Sequence, residues 1–172
     1  MKKITTIFVV TLLISCGLTS CNEEADIEAK MFAEKFYSSL ELSSELNQKH
    51  YSEGGVTFNM DNFNSLIDKS SIYSKERVGN LTGYYHDRYY INLVGIESIK
   101  VINNKILVTT TVEYSIYEIG TFQNEEKLWI NRNQDKLILA KWEDIKVKKM
   151  EVSEYDGLEN FDENSFYQVI GI

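Results

Sequence analysis

The side chains best suited to chemistry gather in one stretch, Tyr84-Tyr85-His86-Asp87-Arg88-Tyr89-Tyr90. An imidazole, a carboxylate and phenols move protons and steady developing charge near neutral pH. His86 and Asp87 are therefore the candidate catalytic pair. On an extended strand, however, alternate residues share a face. Tyr84, His86, Arg88 and Tyr90 then lie together, while Tyr85, Asp87 and Tyr89 lie opposite. Neighbours such as His86 and Asp87 do not line one pocket in that geometry. An aromatic-rich strand with a polar outer row is the simpler expectation. The other histidine, His50, stands beside Tyr51 where a helix should end, a place that favours a cation.

Binding asks for less than catalysis. Tyrosine offers a large, stiff, amphipathic surface, and the chain has 11 of them. Tyr84, Tyr90, Tyr114 and Tyr117, with His86, are the candidate ligand-binding residues; the alternative for each is a place in the core or on the sheet surface. Gly54-Gly55 lacks the pattern of a phosphate loop, and the chain has neither a G-x-S-x-G elbow nor a His-Glu-x-x-His helix. With 2 Cys and 2 His, a disulfide scaffold and a Cys- or His-rich zinc site are excluded. No motif calls for a cofactor or a metal.

These residues must be held by a domain of modest size. The 172 residues, 43% of them hydrophobic, suffice for one packed core. Against 18 Lys and Arg stand 26 Asp and Glu, a net charge of −8. Such a surface is poorly suited to nucleic acid, which needs phosphate neutralisation. The absence of proline excludes collagen-like and Pro-rich designs.

Ala29, Phe32, Ala33, Phe36 and Leu40 recur at helical spacing and predict an amphipathic helix from Asp26 to about Gln48. A second, shorter helix is expected around Asp61 to Lys69, capped by Asn59 or Asp61, with Phe63, Leu66 and Ile67 inward. A helical turn near Ser74 to Asn80 is a third expectation. From Tyr84 the period changes to two. Tyr89 to Ile102 predicts a strand with a bulge at Gly95, and Asn103-Asn104 a two-residue turn. Ile106, Val108, Thr110, Val112, Tyr114 and Ile116 alternate along one buried face of the next strand. Gly120 should end it. Phe122 to Ile130 and Lys136 to Trp142 predict another hairpin around Arg132 to Asp135. Ile145 to Val152 should continue as an edge strand bearing Lys146, Lys148 and Lys149. Residues 151–172 carry many acids and no Lys or Arg. They read as an irregular acidic extension in which Phe161, Phe166, Tyr167, Val169 and Ile170 can dock.

The first residues read as an address. Met1-Lys2-Lys3, an apolar run from Ile4 to Ile14 and small residues beyond describe a secretory signal. The run is too short to span a bilayer, which takes about 20 apolar residues. Leu18-Thr19-Ser20-Cys21 resembles the lipobox of bacterial lipoproteins. That resemblance implies that Cys21 takes a diacylglycerol, that residues 1–20 are cut away and that the new amine is acylated. Leu13-Ile14-Ser15-Cys16 is an alternative match; Cys21 leaves the normal exit region and a polar start. Cleavage removes 20 of 172 residues and leaves 152. Lys2 and Lys3 go with the signal, so 16 cationic side chains face 26 acids, a balance of −10. Residues 21–25 would form the lipidated tether. Its acids resemble those that direct some Gram-negative lipoproteins to the cell surface, implying an outer-membrane protein with possible surface exposure; alternatively they favour the positive end of the following helix.

Helices followed by long antiparallel strands give an α+β order. The pattern resembles the nuclear transport factor 2-like superfamily. The matching features are Phe36-Tyr37 in the first helix, Lys75-Glu76-Arg77-Val78-Gly79 before the sheet, Asn103-Asn104-Lys105 at a hairpin tip, and the pair Leu128-Trp129-Ile130 and Ala140-Lys141-Trp142. The resemblance covers about Asp26 to Lys149 and implies N-terminal helices packed on a curved antiparallel sheet, a cone spanning residues 26–150. Enzymes of that superfamily use pocket Asp, His and Tyr groups. Three functions are thus open: a lipid-anchored, non-catalytic domain binding a small ligand, glycan or protein; an isomerase- or dehydratase-like enzyme using His86 or Asp87; or an envelope interaction or protective protein acting through its acidic tail.

Overall fold

Strict alternation of apolar side chains builds the centre of the molecule, as seen in a computed structural model that describes residues 23–42, 65–68, 70–71, 89–134, 136–154 and 157–170. Helix α1 covers residues 23–42. Strands β1 (Tyr89–Ile102), β2 (Lys105–Ile116), β3 (Gly120–Asn133) and β4 (Lys136–Val152) follow, and a short helix α2 (Glu163–Val169) comes last. The strands form an antiparallel meander in the order β1-β2-β3-β4. The class is α+β, with α1 packed on the four-stranded sheet.

The stripe predicted for α1 is the buried one. Ala29, Phe32, Ala33, Phe36 and Leu40 are all buried, and Tyr37 joins them. Phe36 meets Trp142 of β4 edge-on, with ring centroids 5.0 Å apart. Each large apolar side chain buried here contributes about 1.5–3 kcal/mol. The exposed pair Lys30–Glu34, one turn apart at 3.9 Å, contributes only about 0.2–0.5 kcal/mol. Packing, not surface charge, holds the helix. The helix also takes in Glu23, Glu24 and Ala25, which the sequence suggested as tether. Acids in a first turn are favoured by the helix dipole, which accounts for the earlier start.

The turns follow their residues. Asn103 (φ 49°) and Asn104 (φ 62°) both adopt positive φ, the requirement of the tight turn that suits strand twist. The register of β1 against β2 shifts between Leu93 and Gly95, the expected bulge, and again between Ile96 and Ser98. Each shift moves a backbone group out of phase and lets the strand bend. β2 buries Ile106, Val108, Thr110, Val112, Tyr114 and Ile116, as its alternation predicts. β4 runs unbroken to Val152, and Lys146, Lys148 and Lys149 are exposed on it. Lys148 does more than guard an edge. Its Nζ lies 2.9 Å from Glu97 of β1 and 3.3 Å from Glu125 of β3, across the outer face of the sheet.

Two expectations are corrected. Residues 65–66 form a turn rather than part of a helix, and Ile67 makes a parallel bridge to Leu139. Leu139 N–H donates to Leu66 O at 2.7 Å, and Asp68 N–H donates to Leu139 O at 2.9 Å. A helix this short nucleates poorly, whereas β4 offers edge groups to bond. Leu66 and Ile67 still point inward and are buried. Phe63, Asn59, Asp61 and the turn near Ser74 to Asn80 lie outside the described residues. The acidic extension, read as irregular, ends in α2. Asp162 caps it, its Oδ1 accepting from Ser165 N–H at 2.8 Å. Phe166 and Ile170 are buried, and Phe166 stacks on Phe122 with centroids 4.7 Å apart.

Gly120 tests the backbone argument. It has φ 146°, and a Cβ there would lie 2.0 Å from the carbonyl oxygen of Glu151. Gly95 has nothing within 4 Å of the same added atom. Urea unfolding should show Gly120→Ala destabilised by about 2 kcal/mol or more and Gly95→Ala changed by no more than about 0.5 kcal/mol.

Candidate functional site

Four side chains from four elements meet at a carboxylate with no exposure to water. β3 alternates Phe122, Asn124, Glu126, Leu128 and Ile130 toward the core, so its period places two polar groups inside. Glu126 Oε1 accepts from Tyr114 Oη at 2.5 Å and from Asn124 Nδ2 at 3.2 Å. Glu126 Oε2 accepts from Tyr37 Oη and from Trp142 Nε1, both at 2.7 Å. Tyr37 Oη also lies 2.9 Å from Thr110 Oγ1. A phenol has one proton, and here it goes to Glu126, so Thr110 is the donor in that second bond. Burial first, and the charge of Glu126 second, hold the Tyr37 hydroxyl well above its ordinary pKa. It therefore stays a donor across the physiological range. Asn124 Nδ2 also donates to Asp144, and Asn124 Oδ1 is buried with no hydrogen-bond partner.

This cluster positions other groups; it offers nothing to a substrate. Each carboxylate oxygen already takes two donors, and Tyr37 and Trp142 are themselves buried. The reachable feature lies beside it. α1 and the inward side of β1 border a groove of about 690 Å³. Ile91, Leu93, Ile96 and Ile99 supply apolar walls from the strand. Asp26, Lys30, Glu34, Ser38 and Glu41 supply a polar rim from the helix. Tyr37 belongs to both features: it is among the residues lining the groove, and its hydroxyl is on Glu126. That volume suits a small-molecule ligand. Three carboxylates against one lysine make the rim acidic, which favours a neutral or cationic guest over an anionic one.

The tyrosines named by the sequence do not come together. Tyr114 is buried, bonded to Glu126 and edge-on to Phe166 at 5.8 Å. Tyr90 is 61% exposed on the side of β1 away from the core, opposite Ser115. Tyr117 is 55% exposed in the turn after β2. None of the three borders the groove. Tyr84, His86, Asp87, His50, Cys16 and Cys21 lie outside the described residues. Tyr37, Asn124, Glu126 and Trp142 were not singled out by their chemistry. Their signal was phase: Asn124 and Glu126 fall in step with Phe122, Leu128 and Ile130.

Among the described residues, no group of three or more His, Cys, Asp or Glu side chains is placed to hold a metal ion. Comparison with family models, with curated proteins and with solved structures returns no match for this chain.

Removing the acceptor should be far worse than removing one donor. Glu126→Leu takes the shared acceptor from four buried donors and should cost roughly 3–5 kcal/mol, whereas Tyr37→Phe should cost about 1–2 kcal/mol. Tryptophan fluorescence during urea unfolding reads both values. Equal losses in the two variants would contradict a shared acceptor.

Proposed function

We propose that this chain is a lipid-anchored envelope protein whose domain, a cone of the nuclear transport factor 2 type, holds a small ligand in the groove between α1 and β1 without transforming it. The groove carries this reading. It combines a row of β1 isoleucine and leucine side chains with a rim of charged helix residues, the composition expected of a site for an amphipathic guest. In the polar cluster next to it the Glu126 carboxylate is held by four donors, and it steadies the groove wall through Tyr37. A guest with an apolar body and an uncharged or cationic end fits both the strand side and the acidic rim.

The sheet supports the same reading. Four long antiparallel strands with two bulges in β1, and a helix laid over one face, suit a sheet that bends around a pocket. The anchor rests on the Leu18-Thr19-Ser20-Cys21 resemblance together with the basic and apolar start of the chain. Among the described residues no helix is long and apolar enough to cross a membrane. Two acyl chains would supply stable attachment, since each buried methylene contributes about 0.8 kcal/mol.

Nile red, a neutral apolar dye, is a suitable probe of the groove. It should bind the purified chain with enhanced, saturable emission. Ser38→Trp, on the exposed side of the rim, should fill the groove and weaken that binding by at least about tenfold with little change in unfolding midpoint. Dye binding indifferent to Ser38→Trp would remove the groove as the site. For the anchor, Cys21→Ala should move the protein from the membrane pellet to the soluble fraction. Retention in the pellet, or release by Cys16→Ala instead, would refute lipidation at Cys21.

A further inference from the structure

We propose that the end of the sheet carrying the β1–β2 and β3–β4 turns lies against the lipid leaflet, with Val101 and Ile102 entering the headgroup region. This rests on the anchor at Cys21 and adds an orientation to it. Cys21 is two residues before Glu23, which is already helical. Two residues of extended chain span no more than about 7 Å. The lipid therefore sits within that distance of the start of α1, and the domain has almost no leash. A helix of this length runs about 30 Å from end to end, so the end that starts it is the end at the membrane.

One ion pair and the strand register show which end of the sheet that is. Glu28, in the second turn of α1, pairs with Arg132 at the β3–β4 turn. The β1–β2 turn lies at the same end as the β3–β4 turn, since Lys105 at the start of β2 pairs Asn131 near the end of β3. That end presents aliphatic side chains to solvent. Val101 is 60% exposed and Ile102 37%, side by side at a hairpin tip, and Ile27 of α1 is 60% exposed nearby in sequence to Glu28. Lys100, Lys105 and Lys136 flank the turns and are exposed. Short apolar side chains at a tip, ringed by lysines whose stems can lie along the acyl boundary, suit a membrane interface. Glu23, Glu24 and Asp26 lie at the same end. The contact is therefore apolar insertion, not attraction between a basic patch and anionic lipid. The opposite end presents Glu118 in the β2–β3 turn, with the exposed tyrosines Tyr117 and Tyr90 near it.

The test uses the lipidated full chain in vesicles of phosphatidylethanolamine and phosphatidylglycerol containing nitroxide-labelled lipid. Cys16 leaves with the signal and Cys21 carries the lipid, so an introduced cysteine is the single free thiol. Val101→Cys and Glu118→Cys are labelled with bimane and compared. Emission at position 101 should be quenched at least about threefold more strongly than at 118, as expected for a group at the headgroup boundary. Equal quenching at the two sites, with the chain floating with the vesicles, overturns the orientation and leaves the anchor standing. A chain that fails to float with the vesicles overturns both.

Discussion

The carboxylate of Glu126 is the constraint on which the described structure depends. An ionisable group placed away from water is costly unless its hydrogen-bonding capacity is met. Here α1, β2, β3 and β4 each contribute one donor, through Tyr37, Tyr114, Asn124 and Trp142. Apolar packing alone would let α1 slide or rotate over the sheet, because hydrophobic contact has little directionality. Hydrogen bonds of 2.5–2.7 Å from two phenols and an indole admit one placement. The aromatic rings that carry these donors also fill the core, with Tyr37 and Trp142 edge-on at 6.3 Å. The same residues thus provide the volume and fix the orientation.

Most of the sheet was legible in the sequence because each of its rules is local. Alternation set the buried face of β2, positive φ at Asn103 and Asn104 set a turn, and Gly95 marked a bulge. The stripe of α1 was legible for the same reason, except that Tyr37 lies at its margin and its role depends on a carboxylate 89 residues away. Ile67 shows the limit of local rules. Its segment has helical spacing, but its backbone is taken up by Leu139 of β4, an opportunity no local pattern encodes. Glu126 shows another limit. Its phase on β3 placed it inside, yet charge argued for the surface, and only donors gathered from distant elements resolve that conflict.

The groove and the cluster divide the labour around one side chain. Tyr37 lines the groove and bonds its hydroxyl to the buried carboxylate. Because its proton is committed to Glu126, the tyrosine adds shape to the groove rather than reactivity. The C-terminal segment completes the other end of the core. Phe166 lies against both Tyr114 and Phe122, so the acidic extension brings in the apolar cover for the sheet near the β2–β3 turn.

The long separation between α1 and its partners also sets an order of assembly. The helix is synthesised first, yet Trp142, which meets Phe36, comes near the end of the sheet, and Phe166 later still. The hairpins close across turns of a few residues, whereas the bond from Tyr37 to Glu126 closes a loop of 89. Loop-closure entropy places the meander ahead of the helix. Until β4 is in place, Phe32, Phe36 and Leu40 have no surface on which to pack. A chain made amino end first must therefore carry an apolar helix face unsheltered for most of its synthesis, and its final strand and short helix are what end that exposure.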